Sequence, residues 1–508
     1  MARYKALPDE IRKWRDIIRE RAVDFGLDFF EVIYEMVDYQ EMNELAALGG
    51  FPSRYPHWRF GMEYDKLSKS YAYGLSKIYE MVINTDPCYA YLLTSNALMD
   101  QKLVMAHVYG HSDFFKNNVY FSHTDRRMLD EMANHAVRIR GYQEKYGVDV
   151  VEEFIDCCLS LDNLLDPHAG AIKRESDPEA QPDDAYEVKK IPTKNYLDKY
   201  VNPKNYMDAQ KEKMKDSMEQ ATQFPARPQR DVLAFLLNHA SLNEWQRDCL
   251  EIVRDEALYF LPQGQTKIMN EGWASYWHAK IMTEGILDDS EIIDFADVHS
   301  GTMAVPPGGL NPYKLGIELF RDIEERWNKG QFGKDWDECS DFETKNNWDL
   351  KTGKGRDKIF EIRRLYSDLT FIDEFMTEDF CRRNKMFSFG YNKRSQRYEV
   401  QSREFQQVKQ QLLSQLTNFG QPVIEVVDAN FRNRGELLLI HRFDGADLRK
   451  DYSEKTLRNL CQLWGRPVFI ETTVEEKPLR LGFDGDKFSE EDLQQVTTDE
   501  GISETQKT

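Results

Sequence analysis

The sequence predicts an α+β protein with a large, mainly helical N-terminal domain followed by a small mixed α/β domain. Through residues 1–345, apolar side chains recur at helical spacing, as at Ile11, Trp14 and Ile18. From about residue 380 the pattern changes to short β-rich runs separated by helical stretches. We therefore place the C-terminal domain at residues 380–485.

Several segments have sharper predictions. Residues 8–47 predict two helices, the second carrying an apolar stripe from Phe29 to Met36. Residues 87–94 predict a strand, which is either a sheet edge that pairs with an extended peptide or an ordinary strand. Residues 98–115 are apolar on most sides and predict a buried helix. Asn311-Pro312 predicts the start of a helix that ends before Gly330.

Two segments differ from the rest in composition. Residues 166–230 are polar, contain prolines and show little apolar periodicity, so we expect a partly disordered excursion within the N-terminal domain. Residues 488–508 are polar and acidic, and we expect a loose tail there.

Composition excludes some classes of function. With 67 Lys and Arg against 88 Asp and Glu, the net charge of the 508 residues is −21, which argues against nucleic acid and against an anionic membrane surface as partner. The seven cysteines include no Cys-x-x-Cys pair, which favours a reducing compartment. No stretch resembles a signal peptide or the ~20 apolar residues of a membrane span, so we expect a cytoplasmic protein.

Three residues form a candidate metal site. His107 and His111 are four apart on the predicted buried helix, so both imidazoles can point at one ion. Glu271, in another predicted helix, would complete an open three-ligand site of the kind that holds catalytic zinc. Two histidines at this spacing are also compatible with ordinary core histidines that bind no metal.

The sequence offers several alternatives for the catalytic groups of such a site. Zincin metallopeptidases place a general-base glutamate directly after the first histidine, but that position is Val108 here. Glu131, His135 or His278 would have to replace it, or the metal alone would activate water. Tyr276 or His278 would stabilise developing charge. His135 and His278 could instead orient metal ligands.

The loop at residues 49–61 is a candidate substrate surface. It contains prolines and glycines that exclude a regular element, together with aromatic side chains and the polar residues Arg54, His57 and Arg59. These three would bind an acidic group of the substrate. Alternatively, the loop closes one side of the core.

The chain resembles the SpoVR family, named for stage V sporulation protein R. The resemblance lies in Phe51–Glu63, Ala106–Asn118, Leu261–Ile281 and Leu310–Gly333. It implies a bacterial protein linked to sporulation and spore cortex formation, or to stress physiology, with a PrkA-type serine kinase and a YhbH-type protein as partners. Separately, Glu271–Tyr276 resembles the glutamate helix of zincin-like peptidases, which implies a zincin-like N-terminal domain.

Two hypotheses of function follow. The first is a zinc-dependent, peptidase-like hydrolase that acts on a peptide or a cell-wall component. The second is a non-catalytic regulator or scaffold of a kinase or a cell-wall enzyme, motivated by Val108 and by the additional C-terminal domain.

Overall fold

The computed structural model describes residues 7–72, 78–169, 224–305, 309–392 and 397–494. The chain forms two compact units, Met1–Glu152 with Leu258–Gly420, and Glu153–Ala257 with Gln421–Thr508. The predicted domains at 1–345 and 380–485 follow the order of the chain, whereas these units do not, because the segment after Glu152 groups with residues beyond Gly420. Most of the predicted excursion at 166–230 lies outside the described residues.

The first part of the chain alternates helices with short strands. Its elements are α1 (Asp9–Asp24), β1 (Val32–Val37), α2 (Tyr39–Ala47), α3 (Trp58–Ala72), β2 (Glu80–Ile83), β3 (Cys88–Leu93), α4 (Leu98–Asn117), a 3-10 turn (Val119–His123), α5 (Met128–Tyr146) and α6 (Val148–Leu159).

The middle of the chain is helical. Its elements are α7 (Val232–His239), α8 (Glu244–Gln265), α9 (Lys267–Thr283), a 3-10 turn (Asp289–Glu291), α10 (Ile292–Thr302), α11 (Pro312–Lys329), α12 (Lys334–Glu338), α13 (Phe342–Asn346), α14 (Gly355–Leu365), α15 (Asp368–Phe375) and α16 (Glu378–Arg383).

The C-terminal part carries most of the strands. Its elements are β4 (Ser388–Asn392), β5 (Arg397–Ser402), α17 (Phe405–Leu416), β6 (Ile424–Phe431), β7 (Glu436–His441), α18 (Lys450–Trp464), β8 (Val468–Val474), β9 (Lys477–Phe483) and β10 (Phe488–Asp492). The large helical part and the small mixed sheet agree with the predicted α+β class.

In the first unit, β1, β3 and β2 form a three-stranded sheet in that order. The predicted strand at 87–94 is confirmed as β3, but it is the central strand, parallel to β1 and antiparallel to β2, so it offers no free edge. The helix predicted around Phe29–Met36 is wrong, because those residues include β1. Pairing with β3 buries its alternate side chains, and this long-range contact overrides the local periodicity.

The two faces of this sheet belong to different clusters of the core. Ala90 and Leu92 pack with Met105 and Ala106 of α4 in the main core. Tyr91, pointing the other way, belongs to a second cluster with Met128 and Met132 of α5 and Phe51 of the 49–61 loop. Helix α4 and helix α5 therefore lie against opposite faces of the sheet.

Helix α9 packs between α4 and α11 at very short range. A Cβ atom added to Gly110 of α4 would lie 2.6 Å from the Cα of Ala274. A Cβ atom added to Gly272 would overlap the backbone of Gly316 in α11. The absence of side chains at these glycines lets the three helices cross backbone to backbone.

The second unit contains a five-stranded sheet in the order β10-β9-β8-β7-β6. Only β7 and β8 pair in parallel, and α18 connects them. The tail predicted to be loose from residue 488 begins instead with β10, in which Phe488 pairs with Phe483 of β9. Residues 495–508 lie outside the described part of the chain.

Among the described residues, no helix combines the length and the apolar character needed to cross a lipid bilayer.

Candidate metal centre

Helices α4 and α9 bring the three predicted metal ligands together. One donor atom from each of His107, His111 and Glu271 lies within 4.8 Å of the other two. The Oε2 atom of Glu271 is 3.5 Å from the Nε2 atom of each histidine. The two imidazoles, one turn apart on α4, therefore converge on a carboxylate that lies 160 residues beyond His111 (271 − 111).

Buried polar contacts fix the position of α9. The carboxylate of Asp368 accepts hydrogen bonds from the backbone N–H groups of Ile268 and Met269, at 2.7 and 2.8 Å, and so satisfies free donors at the start of the helix. The indole Nε1 of Trp273 donates to Asp113 of α4 over 2.7 Å. These contacts lie on both sides of Glu271 and hold it facing α4.

A neighbouring amide orients His111. Its Nδ1 atom lies 2.9 Å from the side-chain oxygen of Asn270. An amide oxygen only accepts hydrogen bonds, so Nδ1 carries the proton and Nε2 keeps its lone pair toward Glu271. This is the arrangement by which outer groups prepare a histidine to bind a metal.

A chain of histidines orients His107. Its Nδ1 atom is 2.9 Å from Nδ1 of His278, and Nε2 of His278 is 3.0 Å from Nδ1 of His299. If each ring is neutral and donates outward, the Nε2 lone pair of His107 remains directed at Glu271. His278 is buried, whereas His299 is partly exposed on α10.

The protonation states of the cluster are coupled. Burial lowers the pKa of His107, but its contact with Glu271 and the charge of Glu80 outweigh burial, and the pKa is raised overall. Burial and the nearby His107 lower the pKa of His111 to about 4. Burial would raise the pKa of Glu271, yet its contact with His107 and the charge of His111 lower it overall. The interaction between Glu271 and His107 thus favours the charged forms of both groups, whereas burial favours the neutral form of His111.

Tyr313, at the start of α11, is a site residue that sequence reasoning missed. Its ring stacks on His107 with centroids 6.2 Å apart, and its hydroxyl interacts with the carboxylate of Glu271. Burial, followed by the negative charges of Glu271 and Glu80, raises the pKa of Tyr313, so the phenol stays protonated and can donate. The predicted helix start at Asn311-Pro312 is confirmed, but no sequence signal showed which way Tyr313 faces.

Glu80 on β2 is a second site residue that was missed. It pairs with Leu92, and directly opposed residues of antiparallel strands project to the same face. Leu92 is buried in the main core beside α4. Glu80 is half-buried, and its charge acts on both His107 and Tyr313. It is the only acid in a strand of four residues, and only the pairing of β2 with β3 shows to which face of the sheet its side chain projects.

Of the predicted catalytic residues, one lies at the cluster of candidate ligands and the others do not. His278 lies at the cluster through its contact with His107. Tyr276 points elsewhere, and its hydroxyl donates to Glu324 of α11 over 2.6 Å. Glu131 and His135 lie on α5, which packs on the opposite face of the sheet from α4.

The predicted substrate residues also lie away from the three ligands. The guanidinium of Arg54 donates to the carbonyl of Leu48 and lies 4.9 Å from the ring centre of Phe60. His57 is buried, and its Nδ1 atom accepts from the backbone N–H of Arg59. The loop packs on the second cluster through Phe51, on the face of the sheet that α4 does not cover. The substrate role of Arg54, His57 and Arg59 stays a prediction.

The donor set fits a metal ion. Two imidazole nitrogens and one carboxylate oxygen are the three protein ligands of many catalytic zinc sites. Oε2 of Glu271 is buried and has no hydrogen-bond partner closer than the two histidine nitrogens at 3.5 Å. A buried carboxylate oxygen left in this state is costly, and a cation between the three donors would satisfy it.

Comparisons with known proteins cover nearly the whole chain. A family model described as "SpoVR like protein" matches residues 5–421, and one described as "SpoVR-like C-terminal domain" matches residues 422–475. The chain is 30% identical over 492 residues to the uncharacterized protein YcgB of Escherichia coli (strain K12), covering 90% of each protein. No solved structure matches the chain.

Proposed function

The chain belongs to the SpoVR family, and on that premise we propose that it is a zinc-dependent, zincin-like hydrolase acting on a peptide or a cell-wall component. The observation that carries the proposal is the convergence of His107, His111 and Glu271 within 4.8 Å. These three residues would hold the ion. A zinc ion at such a site polarises a carbonyl group and lowers the pKa of water.

The groups around the ligands suit acyl chemistry. Tyr313 carries a protonated hydroxyl next to Glu271 and can donate a hydrogen bond to an oxygen on which negative charge develops. His278 and Asn270 hold the two imidazoles by their Nδ1 atoms. Tyr276, which is bonded to Glu324, is not needed for this role.

The substrate class rests on the surroundings of the site. Strand β2 lies at an edge of the sheet and contacts α4, which carries both histidines. An extended peptide can pair with an edge strand, so a chain bound there would pass close to the ligands. The sporulation and cortex association implied by family membership favours cell-wall peptides among such substrates.

Metal content tests the proposal directly. We expect the purified full-length chain to contain about one zinc per protein by mass spectrometry, since three protein ligands specify one ion. His107→Ala and His111→Ala should each lose it, because two ligands remain. His123→Ala is the matched control, since His123 is exposed in the 3-10 turn after α4. Equal, near-zero zinc in all four proteins would refute the proposal.

A second candidate function is the non-catalytic regulator, which Val108 favours because no base follows His107 on α4. Under this proposal the chain docks on a PrkA-type kinase or a YhbH-type protein and performs no turnover. Capture of the purified kinase by the full chain, undiminished in His107→Ala and His111→Ala, would support it. Failure to bind either protein would count against it.

A further inference from the structure

We propose that Glu80 is the general base of this hydrolase, supplied by the sheet in place of the residue that α4 lacks. The inference rests on the proposed metal-dependent hydrolysis and adds a catalytic residue to it. In sequence the acid lies 27 residues before His107 (107 − 80), on a different element, so no helix motif contains it.

The direction of the Glu80 side chain is fixed by the strand. Glu80 pairs with Leu92, and Val82 pairs with Ala90. Leu92, Val82 and Ala90 all pack in the main core, which includes residues of α4. Met81, between them, packs in the second cluster on the other face. Alternation along β2 therefore aims the carboxylate of Glu80 at the side where His107 lies.

Three members of the site lie within electrostatic reach of this carboxylate. They are His107, Glu271 and Tyr313. Strand β2 also contacts α4, so Glu80 lies on the side of the sheet that carries the cluster. Glu80 is not among the residues whose donor atoms lie within 4.8 Å of one another, so it is not one of the three candidate ligands.

The carboxylate of Glu80 has no fixed partner. Among the residues that the structure describes, no donor is hydrogen-bonded to it, and its charge interactions are with His107 and Glu271 of the cluster. Burial is the largest influence on its pKa and raises it. A half-buried acid without a partner costs stability, and acids of this kind concentrate at functional sites.

The other candidates for the base are already engaged or distant. Both ring nitrogens of His278 lie within hydrogen-bonding distance of other imidazoles. Tyr276 is hydrogen-bonded to Glu324, and Glu131 and His135 lie on α5, on the other side of the sheet. Among the candidates within the described residues, Glu80 is the carboxylate that lies on the side of the cluster and has no hydrogen-bond partner.

The step that Glu80 performs is a proton transfer in both directions. A water molecule gives one proton to a carboxylate oxygen of Glu80 while its oxygen bonds to the carbonyl carbon of an amide. The C–N bond then breaks, and the departing nitrogen takes the proton from Glu80. The products are a carboxylic acid and an amine, and Glu80 is returned to its ionised form.

The test compares Glu80→Gln with Glu35→Gln. Glu35 is a half-buried glutamate on the other edge strand, β1, and pairs with Tyr91, which faces away from α4. We expect both variants to keep the zinc content of the wild type, because neither residue is a ligand. On a library of internally quenched fluorogenic peptides, Glu80→Gln should lose about 100-fold or more of the cleavage rate, whereas Glu35→Gln should keep it.

A second measurement does not depend on turnover. With cobalt in place of zinc, the visible spectrum reports ionisation at the metal position. Removing a nearby negative charge favours a new one there, so the pH midpoint of the spectrum should fall by about 1 unit in Glu80→Gln and stay unchanged in Glu35→Gln.

The outcomes separate the two proposals. A wild-type chain without metal would refute the hydrolase itself. If the wild type binds metal but Glu80→Gln keeps both the peptide cleavage rate and the cobalt midpoint, Glu80 is not the base while the metal site stands. If the wild type cleaves no peptide of the library, an unshifted cobalt midpoint alone overturns the inference.

Discussion

The Nδ1 atoms of His107 and His278 lie 2.9 Å apart across the contact between α4 and α9. One of these atoms must donate and the other accept, so each ring determines the tautomer of the other. His278 passes the same constraint to His299 through its second nitrogen at 3.0 Å. The orientation of one candidate ligand is therefore set by a residue on the helix that carries another.

Removal of this partner should weaken metal binding without abolishing it. We expect His278→Ala to reduce zinc affinity by about 10- to 100-fold, the usual effect of losing an outer hydrogen bond to a ligand. Competition with a chromophoric chelator measures the affinity, and His123→Ala is the control. An affinity equal to that of the wild type would show that His107 needs no orienting partner.

The close helix contacts predict an intolerance to added volume. Gly272→Ala would force a methyl group into the backbone of Gly316, so we expect a loss of stability of about 1–3 kcal/mol or more, with loss of metal binding. Gly141→Ala on α5 meets no atom within 4 Å and should be neutral or stabilising by up to about 1 kcal/mol. Urea unfolding compares the two. Equal stability would contradict the observed helix spacing.

The buried ion pair between Arg363 and Asp113 should also contribute to the stability of the fold. Arg363 lies 3.2 Å from Asp113, whose pKa burial raises to about 6 even with this cation present. Arg363→Met leaves that acid without a cation and should cost about 3–5 kcal/mol.

Arg382→Met is the matched control for that change. It removes exposed pairs with Glu378 and Asp379 and should change stability by less than about 1 kcal/mol. The chemical denaturation midpoints of the two variants provide the comparison, and similar losses in both would contradict the assigned importance of burial.

The raised pKa of Asp368 predicts that the stability of the folded chain depends on pH. Burial raises the pKa of this acid to about 7 in the folded chain, from an ordinary value of 3.8. Between these values the folded chain holds the proton more than the unfolded chain does, so this group makes stability fall as the pH rises from about 4 to about 7. Asp368→Asn removes the titrating group and should flatten that slope.

Urea unfolding at pH 5 and pH 7.5 measures this effect. The substitution should be more costly at pH 5 than at pH 7.5, because the ionised acid present at the higher pH is the disfavoured form. Asp373→Asn, exposed on the same helix, is the control. A substitution that costs the same at both pH values would contradict the raised pKa.

Local features of the site could be predicted from sequence. Helix α4 is apolar on most sides, which indicated burial, and the spacing of His107 and His111 placed both rings on one face. The helix start at Asn311-Pro312 and the left-handed Gly330 after its end also follow from local rules. Each of these depends on residues within a few turns of one another.

The remaining features depend on long-range pairing. Strand β1 looked helical because its apolar residues fit either period, and only its parallel partner β3 decides between them. Glu80 projects to the α4 side of the sheet because of its register with Leu92, and the hydroxyl of Tyr276 donates to Glu324 on a neighbouring helix. Neither contact leaves a signal in the sequence around those residues.

The separation of the ligands along the chain has a consequence for synthesis. His111, the second of the two histidines, leaves the ribosome 160 residues before Glu271 (271 − 111), and the segment Glu153–Ala257, which belongs to the other compact unit, is made in between. A nascent chain that ends before Glu271 has two of the three candidate ligands and lacks the carboxylate. Tight metal binding would therefore begin only after α9 has emerged from the ribosome. It would occur only in chains in which α4 and α9 have packed together in the first unit.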